Sequence, residues 1–331
     1  MGILKYLLNI KYSYTDLIFD PLDGKTVTRW VLMLPGAGCS WAKQKNGGCH
    51  MCGFKHETRK YTFGLRLPSF VLTKLFNEGY EVIKDKHPDL LALFNGGSFL
   101  NDKEIPRAFQ IDICRRVKDT DSIKKLLIES RPEYITAEKI KLLTSQLGGK
   151  KLIVGIGLEC ASDEIRNRSI NKGFSAQDYE KAVKTIKDNR AQVLTYVFLK
   201  PIYLSEREAI EEAVESARYS FSKGSDYVVF NSALVQKGTK MEELYLKGEF
   251  TPPWLWSVVE IAKKAHNLGP IRIGDFNDEP APIAGPKNCE KCTSRLLDLF
   301  KYYKETHDIT IFENTDCDCK KEWREKVLVN T

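Results

Sequence analysis

Seven of the nine cysteines fall into two sets whose spacing suits metal chemistry. Cys39-x9-Cys49-x2-Cys52 occupies one glycine-rich stretch, while Cys289-x2-Cys292 and Cys317-x-Cys319 lie near the end. Cys114 and Cys160 stand inside apolar segments and read as small buried hydrophobes. Three thiolates without a fourth ligand nearby suit a metal centre with an open coordination position. Gly36, Gly38, Gly47, Gly48 and Gly53 let the loop fold tightly around a large inorganic object. A three-cysteine zinc site competes, but it usually recruits a local His or a fourth Cys, and His50 lies awkwardly between two ligands. A 4Fe–4S cluster on Cys39, Cys49 and Cys52 fits better, leaving one iron free for a small molecule. The second set, Cys289, Cys292, Cys317 and Cys319, supplies four thiolates, enough for a closed zinc site. Its alternatives are an auxiliary iron–sulfur cluster or unligated thiols.

The elements that must position these groups are legible as short apolar runs. They span 26–34, 90–94, 125–129, 151–158, 192–199 and 226–230, nearly continuous as in strands buried on both faces. Helical patterns fill the gaps. Residues 69–84 place Phe70, Leu72, Leu75, Phe76, Val82 and Ile83 at mostly helical spacing, and capping-box patterns begin at Ser175, Ser205 and Thr239. About six βα units in succession predict an α/β fold with a parallel sheet, doubly wound or curled into a full or partial barrel. In such folds functional groups collect at the C-terminal strand ends, and the three-cysteine loop directly follows the first predicted strand. From about residue 250 the chain turns Pro- and Trp-rich. The expected division is an N-terminal extension over 1–25, the barrel over 26–250 and a small cysteine-rich module over 251–331.

Composition narrows the class. The 331 residues are 42% hydrophobic and 29% charged, which excludes a disordered chain and a membrane bundle. No apolar run reaches the roughly 18 residues of a spanning helix. Lys5, Asn9 and Lys11 interrupt the one stretch resembling a signal peptide, and an odd cysteine count argues against a disulfide framework, so a soluble cytoplasmic protein is expected. The net charge of +7 is compatible with a polyanionic partner.

The cysteine loop, with three later strand-end motifs, resembles the radical S-adenosylmethionine superfamily. The x9 spacing is similar to that of the elongator catalytic subunit and its relatives. Asn95-Gly96-Gly97-Ser98 corresponds to the turn that grips the amino group of the methionine moiety, with Ser98 in place of the acidic residue. Glu129-Ser130-Arg131 resembles the segment contacting the cosubstrate, and Gly155-Ile156-Gly157-Leu158-Glu159 the strand beside adenine and ribose. The resemblance implies a partial (βα) TIM-like barrel, a 4Fe–4S cluster, S-adenosylmethionine as cosubstrate and a 5′-deoxyadenosyl radical. It also implies a basic residue for the cosubstrate's carboxylate, for which Arg166 is the candidate. Lys200 is a further candidate, either pairing with a carboxylate or facing outward.

Together with INKGF, FLKP, LSEREAI, VQKGT and PPWLWS, these motifs resemble the family of radical subunits of archaeosine synthase (RaSEA), collinear over about residues 28–260. That family implies a tRNA substrate whose D-loop carries a lysine-adducted 7-deazaguanine, radical cleavage of the lysine C–N bond, a transglycosylase-related partner that installs the lysine, and an electron donor. Lys43, Lys45, Lys55, Arg59, Lys60 and Arg66 crowd the loop and slightly favour phosphate binding, whereas Arg115, Arg116, Lys118, Lys124 and Lys125 read as an ordinary solvated face. Trp41, Phe54, Tyr61, Trp254 and Trp256 are candidate stacking partners for a displaced base. The rival readings are another radical tRNA modifier, such as a methylthiotransferase, and a non-catalytic zinc-dependent RNA-binding protein.

Overall fold

A computed structural model of the chain describes residues 13–54, 62–278 and 281–328. Its eight strands form one sheet in simple chain order. β2 (Lys25–Met33), β3 (Leu90–Phe94), β4 (Lys125–Glu129), β5 (Lys151–Glu159), β6 (Gln192–Leu199), β7 (Tyr227–Ser232) and β8 (Ile271–Ile273) run parallel. β1 (Ser13–Asp20) pairs antiparallel with β2 along its whole length. The sheet curls into a half-barrel.

The six expected strands all lie in this sheet. β1 and β8 are additions, one from the expected extension and one from the expected C-terminal module, so the sheet crosses both anticipated boundaries. β8 has no signature in the sequence because three residues among turn-formers carry almost no periodicity.

Crossover helices cover the outer face. They are α1 (Ser69–Ile83), α2 (Arg107–Asp119), α3 (Ala137–Gln146), α4 (Ala176–Asp188) and α5 (Glu206–Ser222). α4 and α5 start at full capping boxes, Ser175 with Asp178 and Ser205 with Glu208, which satisfy otherwise orphaned helix N–H groups. Thr239 caps α6 (Lys240–Leu246) by accepting from the Glu242 N–H. In α1 the buried stripe is Leu72, Leu75, Phe76, Gly79 and Ile83. Phe70 and Val82, expected on it, fall off its arc and are exposed.

The strand pleat separates two apolar clusters. Trp30, Leu32, Leu91, Leu93, Leu126, Ile128, Leu152 and Val154 face the helices. Val27, Val31, Leu90, Ala92, Leu127, Ile153, Leu194 and Val229 face the barrel interior. At the N-terminal end of the interior row Lys125 is buried, its Nζ 2.6 Å from Asp20 Oδ2 and 2.8 Å from Asp23 Oδ1. The sequence pattern puts this residue in a solvated basic face; the structure instead makes it the ionic plug of the barrel floor, because its strand position points inward.

α7 (Leu255–Ala265), α8 (Glu290–Thr306) and α9 (Cys319–Leu328) build a second core around Trp256, Leu296, Phe300, Tyr303, Phe312 and Trp323. The C-terminal end of α8 reaches the far edge of the sheet. There Thr26 Oγ1 donates to the Glu305 carbonyl at 2.7 Å and His307 stacks on Phe19 at 5.0 Å.

The plug makes a stability prediction. Lys125→Ala leaves the buried Asp20 carboxylate without its cation, so chemical denaturation should show a loss of about 3–5 kcal/mol. A loss below about 1 kcal/mol would mean that the floor tolerates an uncompensated charge.

Candidate metal and cofactor site

The inward rows end at the C-terminal mouth of the half-barrel in a cavity of about 460 Å³. Cys39, Cys49 and Cys52 line it together with Gly96, Gly97, Glu129, Arg131, Gly157 and Glu159, six of the expected cofactor residues. Strand geometry explains the convergence: Leu127 and Glu129, Gly155 and Gly157, Leu194 and Tyr196 are alternate positions on β4, β5 and β6.

The cysteine loop is held from two sides. On one side the buried Glu104 carboxylate accepts from the Ser40 N–H at 2.8 Å and the Ser98 N–H at 2.5 Å, tying the residue after Cys39 to the Gly96-Gly97 turn. A Cβ on Gly97 would collide with that carboxylate and crowd the Cys39 backbone, so the turn needs glycine there. On the other side the segment after β5 grips the loop. Asn171 Nδ2 donates to the Gly48 carbonyl at 2.8 Å, the His50 N–H donates to the Ile170 carbonyl at 2.9 Å, and Trp41 Nε1 donates to the Asn171 carbonyl at 2.9 Å. His50 sets one ring nitrogen 3.3 Å from the Ser169 carbonyl, a splinting position. Trp41 packs on Gly173 and lies under the Arg131 guanidinium at 5.2 Å, which makes it a brace.

The charges of the mouth are mostly paired. Lys172 Nζ lies 2.7 Å from Glu159 Oε1, with side chains 12% and 8% exposed. Burial works against the Lys172 ammonium, but the Glu159 carboxylate outweighs it and keeps its pKa above the ordinary lysine value. A side chain on Gly157 would strike both partners. Arg131 donates through Nη1 to the Lys172 carbonyl at 2.7 Å and through Nε to Glu133 at 2.6 Å. Burial lifts the Glu129 carboxyl to about 7, against the opposing effect of a hydrogen bond with Tyr196. Burial also pushes the Cys49 thiol up and the Cys52 thiol up to about 12, so a metal bound there would have to displace their protons.

The remaining expected contacts stand apart from the cavity lining. Ser98 is fully buried, its Oγ accepting from the Arg131 N–H at 3.2 Å, so it braces the turn. Arg166 is fully buried and donates to the Cys160 carbonyl at 2.7 Å and the Phe174 carbonyl at 3.2 Å, besides pairing with Asp163. Its guanidinium splints the segment after β5. Lys200 is 7% exposed, 3.3 Å from Glu206 and 3.3 Å from the Thr251 carbonyl. It pairs with a carboxylate, but with one from the protein. Lys172 of the INKGF motif also lines the cavity, together with three residues absent from the expected set: Tyr196, Arg29 and Arg272. Arg29, the one charge inside an apolar strand run, was the available signal.

Of the basic loop residues, Lys43 and Arg66 donate to the Gly64 and Asp102 carbonyls. Lys45 is exposed. Lys55, Arg59, Lys60 and Tyr61 lie outside the described residues. Trp256 is buried and donates to Cys319 Sγ at 3.3 Å, so it is core. Trp254 is half-buried beneath Lys326, and Phe54 lines the cavity.

The C-terminal cysteines form a compact quartet. Cys289, Cys292, Cys317 and Cys319 place all four sulfurs within 4.8 Å of one another, with neighbouring pairs at 3.5–3.6 Å. A tetrahedron with zinc–sulfur bonds of about 2.3 Å sets sulfurs roughly 3.8 Å apart, so the quartet fits a single ion. Among the described residues no other such group of three or more ligating side chains is found.

Two predictions follow from these contacts. Glu104→Ala removes the acceptor for the Ser40 and Ser98 N–H groups, so iron loaded onto the protein should pass to a chelator about tenfold faster, as expected when a ligand loses its supporting hydrogen bonds; an unchanged rate would show that Cys39 needs no brace. For Glu129, the raised pKa favours the protonated native state. Its stabilising contribution is complete below 4.5 and is lost as pH rises through about 7. The melting temperature of Glu129→Gln should therefore gain on that of the wild type across this interval, and a constant difference would contradict the assignment.

No protein-family model matches the chain. Archaeosine synthase subunit beta of Methanosarcina acetivorans is 34% identical over 321 residues, covering 96% of this chain and 88% of that protein. The Thermococcus kodakarensis protein of the same name is 32% identical over 307 residues, covering 92% and 93%. Among solved structures, Elp3 of Methanocaldococcus infernus, with an N-terminal deletion, matches with a TM-score of 0.55 at 20% identity. That match covers 80% of this chain and 62% of the Elp3 chain, and it supports the fold. On the extent and level of these sequence identities, the chain belongs to the archaeosine synthase subunit beta family.

Proposed function

We propose that this chain is a radical tRNA-modifying enzyme that cleaves the lysine C–N bond of a lysine-adducted 7-deazaguanine in the tRNA D-loop, leaving the formamidine of archaeosine. The observation that carries the reading is the meeting of three loop thiols with the Gly96-Gly97 turn, Glu129 and the β5 glycines on one interior cavity. Cys39, Cys49 and Cys52 would hold the 4Fe–4S cluster. The carbonyls and N–H groups around Gly96 and Gly97, with Glu129, Arg131, Gly157 and Glu159, would seat S-adenosylmethionine. When bound, this pair supplies one-electron cleavage of the sulfonium and a carbon radical able to take a hydrogen from an unactivated carbon.

The chain's own residues would then orient and shield. The apolar interior row below the mouth keeps water away from a reactive centre, and the Lys172–Glu159 pair fixes charge at the rim without a mobile side chain. A base in a folded tRNA arm has to leave its stack to enter such a cavity. The exposed Lys43, Lys45 and Arg66 near the loop would meet phosphates, with binding that weakens as salt rises.

The C-terminal quartet would hold zinc and pin α8 and α9 to α7, a structural role supported by its 3.5–3.6 Å sulfur spacing. A transglycosylase-related subunit that installs the lysine and an electron donor complete the proposed system. Its proposed setting is the cytoplasm, where tRNA is modified. Among the described residues no helix is long and apolar enough to cross a membrane.

The test is direct. Reduced protein, S-adenosylmethionine and tRNA bearing the lysine adduct should yield the formamidine base by nucleoside mass spectrometry, and Cys49→Ala should yield none. An intact adduct in protein that still forms 5′-deoxyadenosine would exclude this reaction. Metal analysis of anaerobic protein should find about four irons beside about one zinc, whereas about eight irons without zinc would assign a second cluster to the quartet.

A further inference from the structure

The cavity has a second charged wall, away from the cysteines, that the radical chemistry leaves unused. It is built by β2, β8 and the turn after β8, which the curl of the sheet brings together: Arg29 Nη2 on β2 lies 3.8 Å from Asp275 Oδ2. Two of its cations are satisfied. Arg29 makes a two-pronged pair with Asp16, at 3.0 and 2.6 Å, and Lys304 reaches both Asp16 and Asp275 at 2.7 Å.

Arg272 is different. It is 8% exposed, lines the cavity, has no carboxylate within 4 Å among the described residues, and its Nε has no hydrogen-bond partner. Burial and the neighbouring Arg29 hold its pKa below the ordinary arginine value, but an arginine remains charged at neutral pH. A desolvated guanidinium with open donors on a cavity wall is a site for a planar anion, and a carboxylate matches its fork.

Two carboxylates belong to the proposed reaction. That of S-adenosylmethionine goes with the cysteine end, where the open iron position lies. The other is the α-carboxylate of the lysine, whose attachment through the side-chain nitrogen leaves the amino-acid end free. We infer that Arg272 determines specificity for that end, its guanidinium taking the α-carboxylate while the α-ammonium lies beside Asp275. The inference rests on the lysine-adduct reading above and adds what it leaves open: how the enzyme tells a lysine arm from any other alkylamine. Phosphates remain on the polynucleotide outside the cavity and are common to every tRNA, so they cannot supply this discrimination.

The experiment compares two tRNAs on the loaded enzyme, one carrying the lysine adduct and one carrying the adduct of 1,5-diaminopentane, which has the same linkage and no carboxylate. The wild type should prefer the lysine adduct by at least about tenfold in kcat/KM, mainly through KM. Arg272→Gln should lower that preference to within about twofold by raising KM for the lysine adduct alone, and Arg272→Lys should retain part of it. Cluster iron content and thermal melting verify that each variant is folded. Should Arg272→Gln not fold, the wild-type preference and its partial retention in Arg272→Lys decide the matter. Equal use of both adducts by the wild type, or full preference in Arg272→Gln, overturns the role of Arg272 and leaves the proposed reaction standing. Turnover of neither adduct by protein that still forms 5′-deoxyadenosine overturns both.

Discussion

The site depends on one geometric constraint, the two-residue period of a pleated strand in a sheet that curves around its own interior. Above the floor, each inner row passes from apolar residues to polar ones at the mouth: Leu127 to Glu129, Leu194 to Tyr196, Val229 to Asn231. A slip of one residue would turn Glu129 into the helix-facing core and Ile128 into the cavity. The Lys125 plug at the opposite end of the same row penalises that slip, since the slip would also bury Lys125 without its carboxylates.

Strand register alone does not place the cysteines, because they lie on a loop. The chain fixes that loop by hydrogen bonds between the loop's backbone and two neighbouring strand-end segments. Glu104 clamps it to the glycine turn after β3, and Asn171 with the Ile170 carbonyl clamps it to the segment after β5. Arg166 and Arg131 stiffen that second segment from inside and outside. The site is thus a set of loops stitched to each other above a rigid floor, as a centre requires when small displacements of its ligands cost activity.

Much of this was legible in the sequence. Apolar runs such as 90–94, 125–129 and 192–199 coincide with strands residue for residue, because both faces of a parallel strand are buried and the apolar signal is continuous. The cysteine spacings and strand-end motifs also indicated which residues line the cavity. What stayed hidden was long-range. Arg166 looked like a ligand contact because its distance from the cavity depends on how the segment after β5 folds back, and Lys200 because its partner Glu206 lies on α5. Arg272 carries no sequence signal, since β8 is too short to show a period and its neighbour Arg29 is remote in sequence.

The central claim is that three loop thiols hold a cluster with one iron open to a sulfonium cosubstrate. Electron paramagnetic resonance of reduced, air-free protein tests it most directly. A reduced 4Fe–4S signal that shifts on adding S-adenosylmethionine, and that is lost in Cys52→Ala, is the predicted result. A signal indifferent to S-adenosylmethionine, or zinc bound by Cys39, Cys49 and Cys52 with no cluster signal, would contradict it.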